Sequence, residues 1–178
     1  GIIYSELFDF LETYRETVSN PLSGKLLEVI KKCVWLKAGV VEKDEFDSKD
    51  IRIILNLGHT IGHAMESALK YSVITHGEGV AVGLIAESIM AYKIKLLRKS
   101  NLQRIIDLVI SLKCLPVIPE KVSITDIMRH LPYDKKVKFG QLRFVLPAGI
   151  GKVKIISGLD REVIKFSIKN ALEYLPAA

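Results

Sequence analysis

Apolar residues recur on a helical period through most of the chain. From Ile2 to about Thr17, the positions Ile3, Leu7, Phe10 and Leu11 form one stripe. Ser19-Asn20-Pro21 ends it. A second helix is expected from Leu22 to about Val41, with Leu26, Leu27, Ile30, Val34 and Leu36 facing a core and Lys31, Lys32 and Lys37 on other faces. The acid-dense segment from Glu42 to Asp50 reads as an exposed turn or helix end. A third helix starts around Asp47 to Asp50, where acids favour its positive end, and runs to about Lys70. Gly58 and Gly62 fall inside it. Each costs roughly 1 kcal/mol against Ala in a helix interior, so close approach of a backbone or ligand is expected there.

After a short connection, His76-Gly77-Glu78 opens a fourth helix running to about Leu97. Its small residues Gly79, Ala81, Gly83 and Ala86 permit tight packing. Ser100 or Asn101 caps a fifth helix to about Leu112, and Thr125 a short one to about Leu131. The period then changes. Gln141 to Leu146 reads as a strand, Pro147 to Gly151 as a turn, and Lys152 to Ile156 as the antiparallel partner. A last helix spans about Asp160 to Tyr174. The fold class is mainly α: one helical domain over residues 1–178, with a single small antiparallel β-hairpin.

Composition narrows the function. The 178 residues are 49% apolar and carry a net charge of +6. No apolar run approaches the ~20 residues that span a bilayer, so no membrane association is expected. Lysines are scattered among acids without interleaved aromatics, which argues against nucleic acid. Cys33 and Cys114 are far apart and read as core packing in a reduced, cytoplasmic protein. The amphipathic pattern is already in stride at Gly1, so the chain is expected to begin inside a longer polypeptide.

One stretch breaks the apolar logic. Arg52, Asn56, His59, His63 and Glu66 follow one another at spacings of 4, 3, 4 and 3. On a helix they form one polar strip down an otherwise apolar element. Such a conflict marks a functional site. A single buried histidine is ordinarily a hydrogen-bonded core residue, but five polar groups in register are not explained that way. Histidines at i and i+4 can share a metal. The zincin base is absent, because Thr60-Ile61-Gly62 separates them. His76 is the other candidate partner, brought back by the turn between helices. Spacing leaves His59 with His63 and His59 with His76 both open, with Glu66 or Glu78 as a further ligand. Arg52, Lys37 and the Lys135-Lys136 turn suit phosphate or carboxylate. Gly77 to Gly83 has glycines near the spacing of a dinucleotide fingerprint but does not fit it, and no strand precedes it.

These residues resemble the 3-dehydroquinate synthase family. The matching runs are Lys37-Ala-Gly-Val-Val41, Asp44-Glu45, Arg-Ile-Ile-Leu-Asn-Leu-Gly-His-Thr-Ile-Gly-His-Ala-Met-Glu from Arg52 to Glu66, and His76-Gly-Glu78. Asp134-Lys135-Lys136, the following strand and Gly149-Ile-Gly151 add a further match. The resemblance implies the C-terminal, metal- and substrate-binding half of a two-domain enzyme, with the NAD-binding N-terminal domain absent from this chain. It implies Zn2+ (or Co2+) on His59 and His76. Lys37, Arg52, Asn56 and His63 would be catalytic and substrate-binding, with Lys135 or Lys136 on the substrate as well. Asp47 or Asp50 would orient His63. The family's third metal ligand is a glutamate just upstream of the position of Gly1; Glu28-Val-Ile-Lys31 looks similar but lies in the wrong place.

The implied reaction converts a seven-carbon sugar-acid phosphate (DAHP) to 3-dehydroquinate and phosphate through transient oxidation by NAD, in a cytoplasmic homodimer. This chain alone is then expected to be inactive and to bind zinc weakly. Rival readings are a related sugar-phosphate cyclase, a metal-dependent polyol or alcohol dehydrogenase, and a non-catalytic helical module that binds a partner through the polar strip.

Overall fold

The computed structural model describes residues 2–20, 22–46, 50–118, 122–131 and 142–177. Eight α-helices, one 3-10 helix and a two-stranded sheet are formed by these residues. In chain order they are α1 (Ser5–Thr13), α2 (Arg15–Val18), α3 (Gly24–Lys43), the 3-10 helix (Arg52–Asn56), α4 (His59–Ala68), α5 (His76–Lys93), α6 (Lys99–Ser111), α7 (Ile124–His130), β1 (Arg143–Gly149), β2 (Lys152–Ser157) and α8 (Arg161–Leu172). The mainly helical reading with one antiparallel hairpin holds. Among the described residues no helix is long and apolar enough to cross a membrane.

The fold is built around α5. A helix that is apolar on all sides has to be buried on all sides, and α5 buries every residue from Ala81 to Ala91 except Leu84, which is half-buried. Around it pack α4, α6, α8 and β1. Its start is fixed by a reciprocal cap: the Glu78 amide donates to Thr75 Oγ1, and the Thr75 amide donates to the Glu78 carboxylate at 2.7 Å. In the hairpin, β1 turns Phe144, Val145 and Leu146 inward, while β2 lies outside it. Phe144 pairs with Ile156 and Val145 with Ile155. Pro147, expected in the turn, continues β1, and the register shifts between Pro147 and Gly149. The Gly151 amide donates to the Ile2 carbonyl at 2.8 Å, which ties the beginning of the chain to the hairpin turn.

Several expectations need correction. The first helix is two, because Tyr14 leaves the helical region. The second helix exists as α3, but Leu27, Ile30 and Val34 are exposed, and Trp35 is 82% exposed. Leu26 and Leu36 are half-buried, and Val40 is the one buried residue of α3. Its apolar stripe therefore has no covering neighbour among the described residues. Both cysteines are exposed rather than packed in the core. Asp44, in the segment read as exposed, is buried, and its carboxylate accepts from the Ile51 amide at 2.9 Å.

The third helix is also interrupted. Gly58 takes φ +83, a conformation that favours glycine, and separates the 3-10 helix from α4. Gly62 does lie inside a helix. The close backbone approach expected of both is present. A Cβ on Gly62 would meet the Gly79 backbone at 3.0 Å, and one on Gly83 would fall 1.9 Å from the Gly58 carbonyl oxygen. These glycines let α4 and α5 touch backbone to backbone.

Candidate functional site

The close seam between α4 and α5 brings together three of the four histidines. His59 opens α4, His63 lies one turn on, and His76 opens α5. Their ring centroids form a triangle with sides of 5.6 Å (His59–His63), 5.2 Å (His59–His76) and 5.4 Å (His63–His76). The pairs left open by spacing are thus all close in space.

Hydrogen bonds orient two of the rings. His59 Nδ1 lies 3.2 Å from the Leu57 carbonyl oxygen. A carbonyl only accepts, so Nδ1 carries the proton and Nε2 keeps its lone pair. His76 Nδ1 lies 3.0 Å from Glu66 Oε1, and a carboxylate fixes its tautomer in the same way. A histidine whose Nδ1–H is held by a carbonyl or carboxylate is the usual arrangement of a metal ligand. Burial lowers the pKa of His59; the Leu57 carbonyl opposes this, and His76 and His63 reinforce it. That imidazole is accordingly kept in the neutral form that binds a metal.

A second grouping shares the same space. Ligand atoms of His63, Glu66 and His76 lie within 4.8 Å of one another. Glu66 is buried, while His63 and His76 are exposed. Glu66 is already engaged as the acceptor for His76. Glu78, the other acid considered, spends its carboxylate on the cap of α5.

The polar strip is bent by the break at Gly58, yet it still converges. Arg52 and Asn56 on the 3-10 helix, Lys37 on α3 and His59 line one cleft of about 630 Å³, with Ile53, Leu36 and Tyr4 as apolar wall. His63 lies outside this lining, on the histidine triangle. Neither Arg52 nor Lys37 forms an ion pair among the described residues, although Asp50 lines the same cleft. Asp50 pairs instead with Arg143, at 3.4 Å. Among the described residues, two cations of the cleft therefore have no acid to compete with an anion. Asp47, Asp134, Lys135 and Lys136 lie outside the described residues.

One residue of the seam was not singled out from the sequence. Glu87 on α5 is fully buried, and the Gly58 amide donates to its Oε2 at 2.5 Å. The signal was available: Glu87 is the one charged residue between Gly79 and Ala91.

Residues 1–137 match the family model described as 3-dehydroquinate synthase C-terminal. The 3-dehydroquinate synthase of Vibrio atlanticus (strain LGP32) is 41% identical over 170 residues, covering 94% of this chain and 46% of that protein. That of Rippkaea orientalis (strain PCC 8801 / RF-1) is 40% identical over 168 residues, covering 93% and 46%. The chain spans about half the length of these relatives. Among solved structures, the 2-epi-5-epi-valiolone synthase of Streptomyces hygroscopicus subsp. jinggangensis 5008, with NAD+ and Zn2+ bound, matches with a TM-score of 0.79 at 21% identity, over 97% of this chain and 48% of that one. At that identity the likeness is one of fold. A 2-deoxy-scyllo-inosose synthase complexed with carbaglucose-6-phosphate, NAD+ and Co2+ matches with a TM-score of 0.71 at 26% identity, over 92% and 53%.

Proposed function

The chain belongs to the 3-dehydroquinate synthase C-terminal family, and we propose that it is the metal- and substrate-binding part of an enzyme that converts DAHP to 3-dehydroquinate and phosphate. The observation that carries this is the adjacency of two features. A cleft with Arg52 and Lys37, which have no ion-pair partner among the described residues, adjoins through the shared residue His59 a triangle of imidazoles.

The donor set fits a zinc or cobalt ion. His59 and His76 each offer Nε2 with Nδ1 already held, and imidazole suits both metals. A third ligand and the nicotinamide site would come from sequence outside these residues. When bound, the metal supplies Lewis acidity and NAD supplies reversible hydride transfer, chemistry that does not belong to side chains.

The chain's own groups do the remaining work. Arg52 holds a substrate carboxylate or phosphate by its fork, and Lys37 adds a compact charge. Asn56 orients substrate oxygens by donating and accepting. His63 is exposed beside the two ligands and is free to relay a proton at the edge of the cleft. Lys135 or Lys136 adds a cation on the substrate. We propose further that the enzyme works as a homodimer, and that this segment alone is inactive.

The test is to supply the full-length enzyme with NAD, zinc and DAHP and to follow inorganic phosphate and NADH together. Phosphate release without net NADH is expected. NADH accumulating with a simple polyol, and no phosphate from DAHP, would move the protein to the polyol dehydrogenases. Turnover of a different sugar phosphate in place of DAHP would move it to the related cyclases, whose solved structures share its fold.

A further inference from the structure

On α5, Gly79, Gly83 and Glu87 succeed one another at four-residue steps and so share a face. That face is pressed along α4. Gly79 meets Gly62 and Glu66, and Gly83 meets Gly58. One turn further, Glu87 reaches the beginning of α4. There the Gly58 amide donates to Oε2, and the amides of Thr60 and Ile61 face the same carboxyl.

An α-helix leaves its first N–H groups without partners. The ordinary remedy is a Ser, Thr, Asp or Asn at the N-cap. In α4 the N-cap is Gly58, with φ +83, and no side chain caps it from that position. A Cβ at Gly58 would stand 2.8 Å from the Val80 carbonyl oxygen. The tight seam therefore excludes a local cap, and the acceptor comes from the opposite helix.

Glu87 is an expensive way to provide it. The residue is fully buried, and Oε1 has no hydrogen-bond partner among the described residues. Burial drives its pKa well above the usual carboxylate range, against the pull of the amides. Capping accounts for one oxygen of the carboxyl, at the cost of burying the other without a hydrogen-bond partner among the described residues. Its location supplies a reason. His59 follows Gly58 directly and is the first residue of α4, and its Nδ1 is held by Leu57 on the other side of Gly58. Carboxyl and imidazole thus bear on one short stretch, from Leu57 to Ile61.

We propose that Glu87 is a positioning residue, which fixes the first turn of α4 and thereby aims the His59 imidazole at His76. This rests on the assignment of His59 as a metal ligand made above.

The test uses the full-length enzyme as wild type, Glu87→Gln and Glu87→Met. Methionine fills the volume without an acceptor, and Glu87→Ala serves where it does not fold. Two quantities are read: the ring resonances of His59 in metal-free protein at one neutral pH, and zinc affinity by chelator competition. Glu87→Met is expected to move the His59 signals and to weaken zinc binding by about 10–100-fold, the range found when a group orienting a ligand is lost. Glu87→Gln, whose amide oxygen still accepts from Gly58, is expected to restore both. Unmoved His59 signals in a Met or Ala variant that is merely less heat-stable would overturn the proposal. Should wild type itself bind no zinc, the metal assignment fails, while the His59 signals still decide the role of Glu87.

Discussion

Gly83 and Gly58 meet so closely that a single methyl group on Gly83 would fall 1.9 Å from the Gly58 carbonyl oxygen. The obstacle is backbone, not a movable side chain. Overpacking typically costs 1–3 kcal/mol, and more where nothing can yield. Gly83→Ala is therefore expected to destabilise by at least about 3 kcal/mol, read by denaturant unfolding. Gly39→Ala is the control. It lies inside α3 with open space where its Cβ would go, and a gain of up to about 1 kcal/mol is expected. Equal effects of the two substitutions would show that the seam is not tight.

Glu66 holds His76 by its Nδ1 at 3.0 Å. Glu66→Ala should leave both imidazoles in place but free the His76 ring to rotate. The expected outcome is a loss of zinc affinity of roughly 10-fold or more, measured by chelator competition, with a smaller effect on Asn56- and Arg52-dependent substrate binding.

Arg52 lines the cleft without an acidic partner among the described residues. A hydrogen bond to a charged group contributes about 1.5–3 kcal/mol. Arg52→Met should then lower kcat/KM for DAHP by about 10–100-fold, while zinc content stays at the wild-type level. Loss of zinc in this variant would place Arg52 in the metal site instead.

The lowered pKa of His59 has a defined pH signature. Burial disfavours its charged form, so the unfolded chain takes up this proton at about pH 6.5 and the folded chain only at lower pH. Between those values the unfolded state binds more protons, and stability falls as pH falls. Above about pH 6.5 both states are neutral and the effect vanishes. Metal-free wild type should therefore lose more stability than His59→Gln between about pH 7 and pH 5. Parallel denaturation midpoints across that window would contradict it.

Much of this was legible in the residues. The helical period located α5, α6 and α8, and the switch to alternation located the hairpin. Gly58 and Gly62 marked a close helix approach. What the period does not report is what covers an apolar face. Leu27, Ile30 and Val34 form a proper stripe on α3, yet they stay exposed. Nor does it distinguish two glycines four apart. Gly62 continues a helix, whereas Gly58, equally close to α5, takes the left-handed conformation and breaks one. The histidines were visible as a set, but their mutual distances follow from the α4–α5 seam, which spacing along one helix cannot give. Glu87 stood out as a lone charge, but what it holds was hidden for a related reason: Gly58, from whose amide it accepts, is 29 positions away.

The most direct measurement is zinc affinity across His59→Ala, His63→Ala and His76→Ala in the full-length enzyme, each paired with turnover of DAHP. The account predicts that His59→Ala and His76→Ala lose the metal, and that His63→Ala keeps it while losing turnover. If His63→Ala lost the metal and His59→Ala kept it, the ion would belong to His63, Glu66 and His76, and the roles assigned to His59 and Glu87 would be wrong.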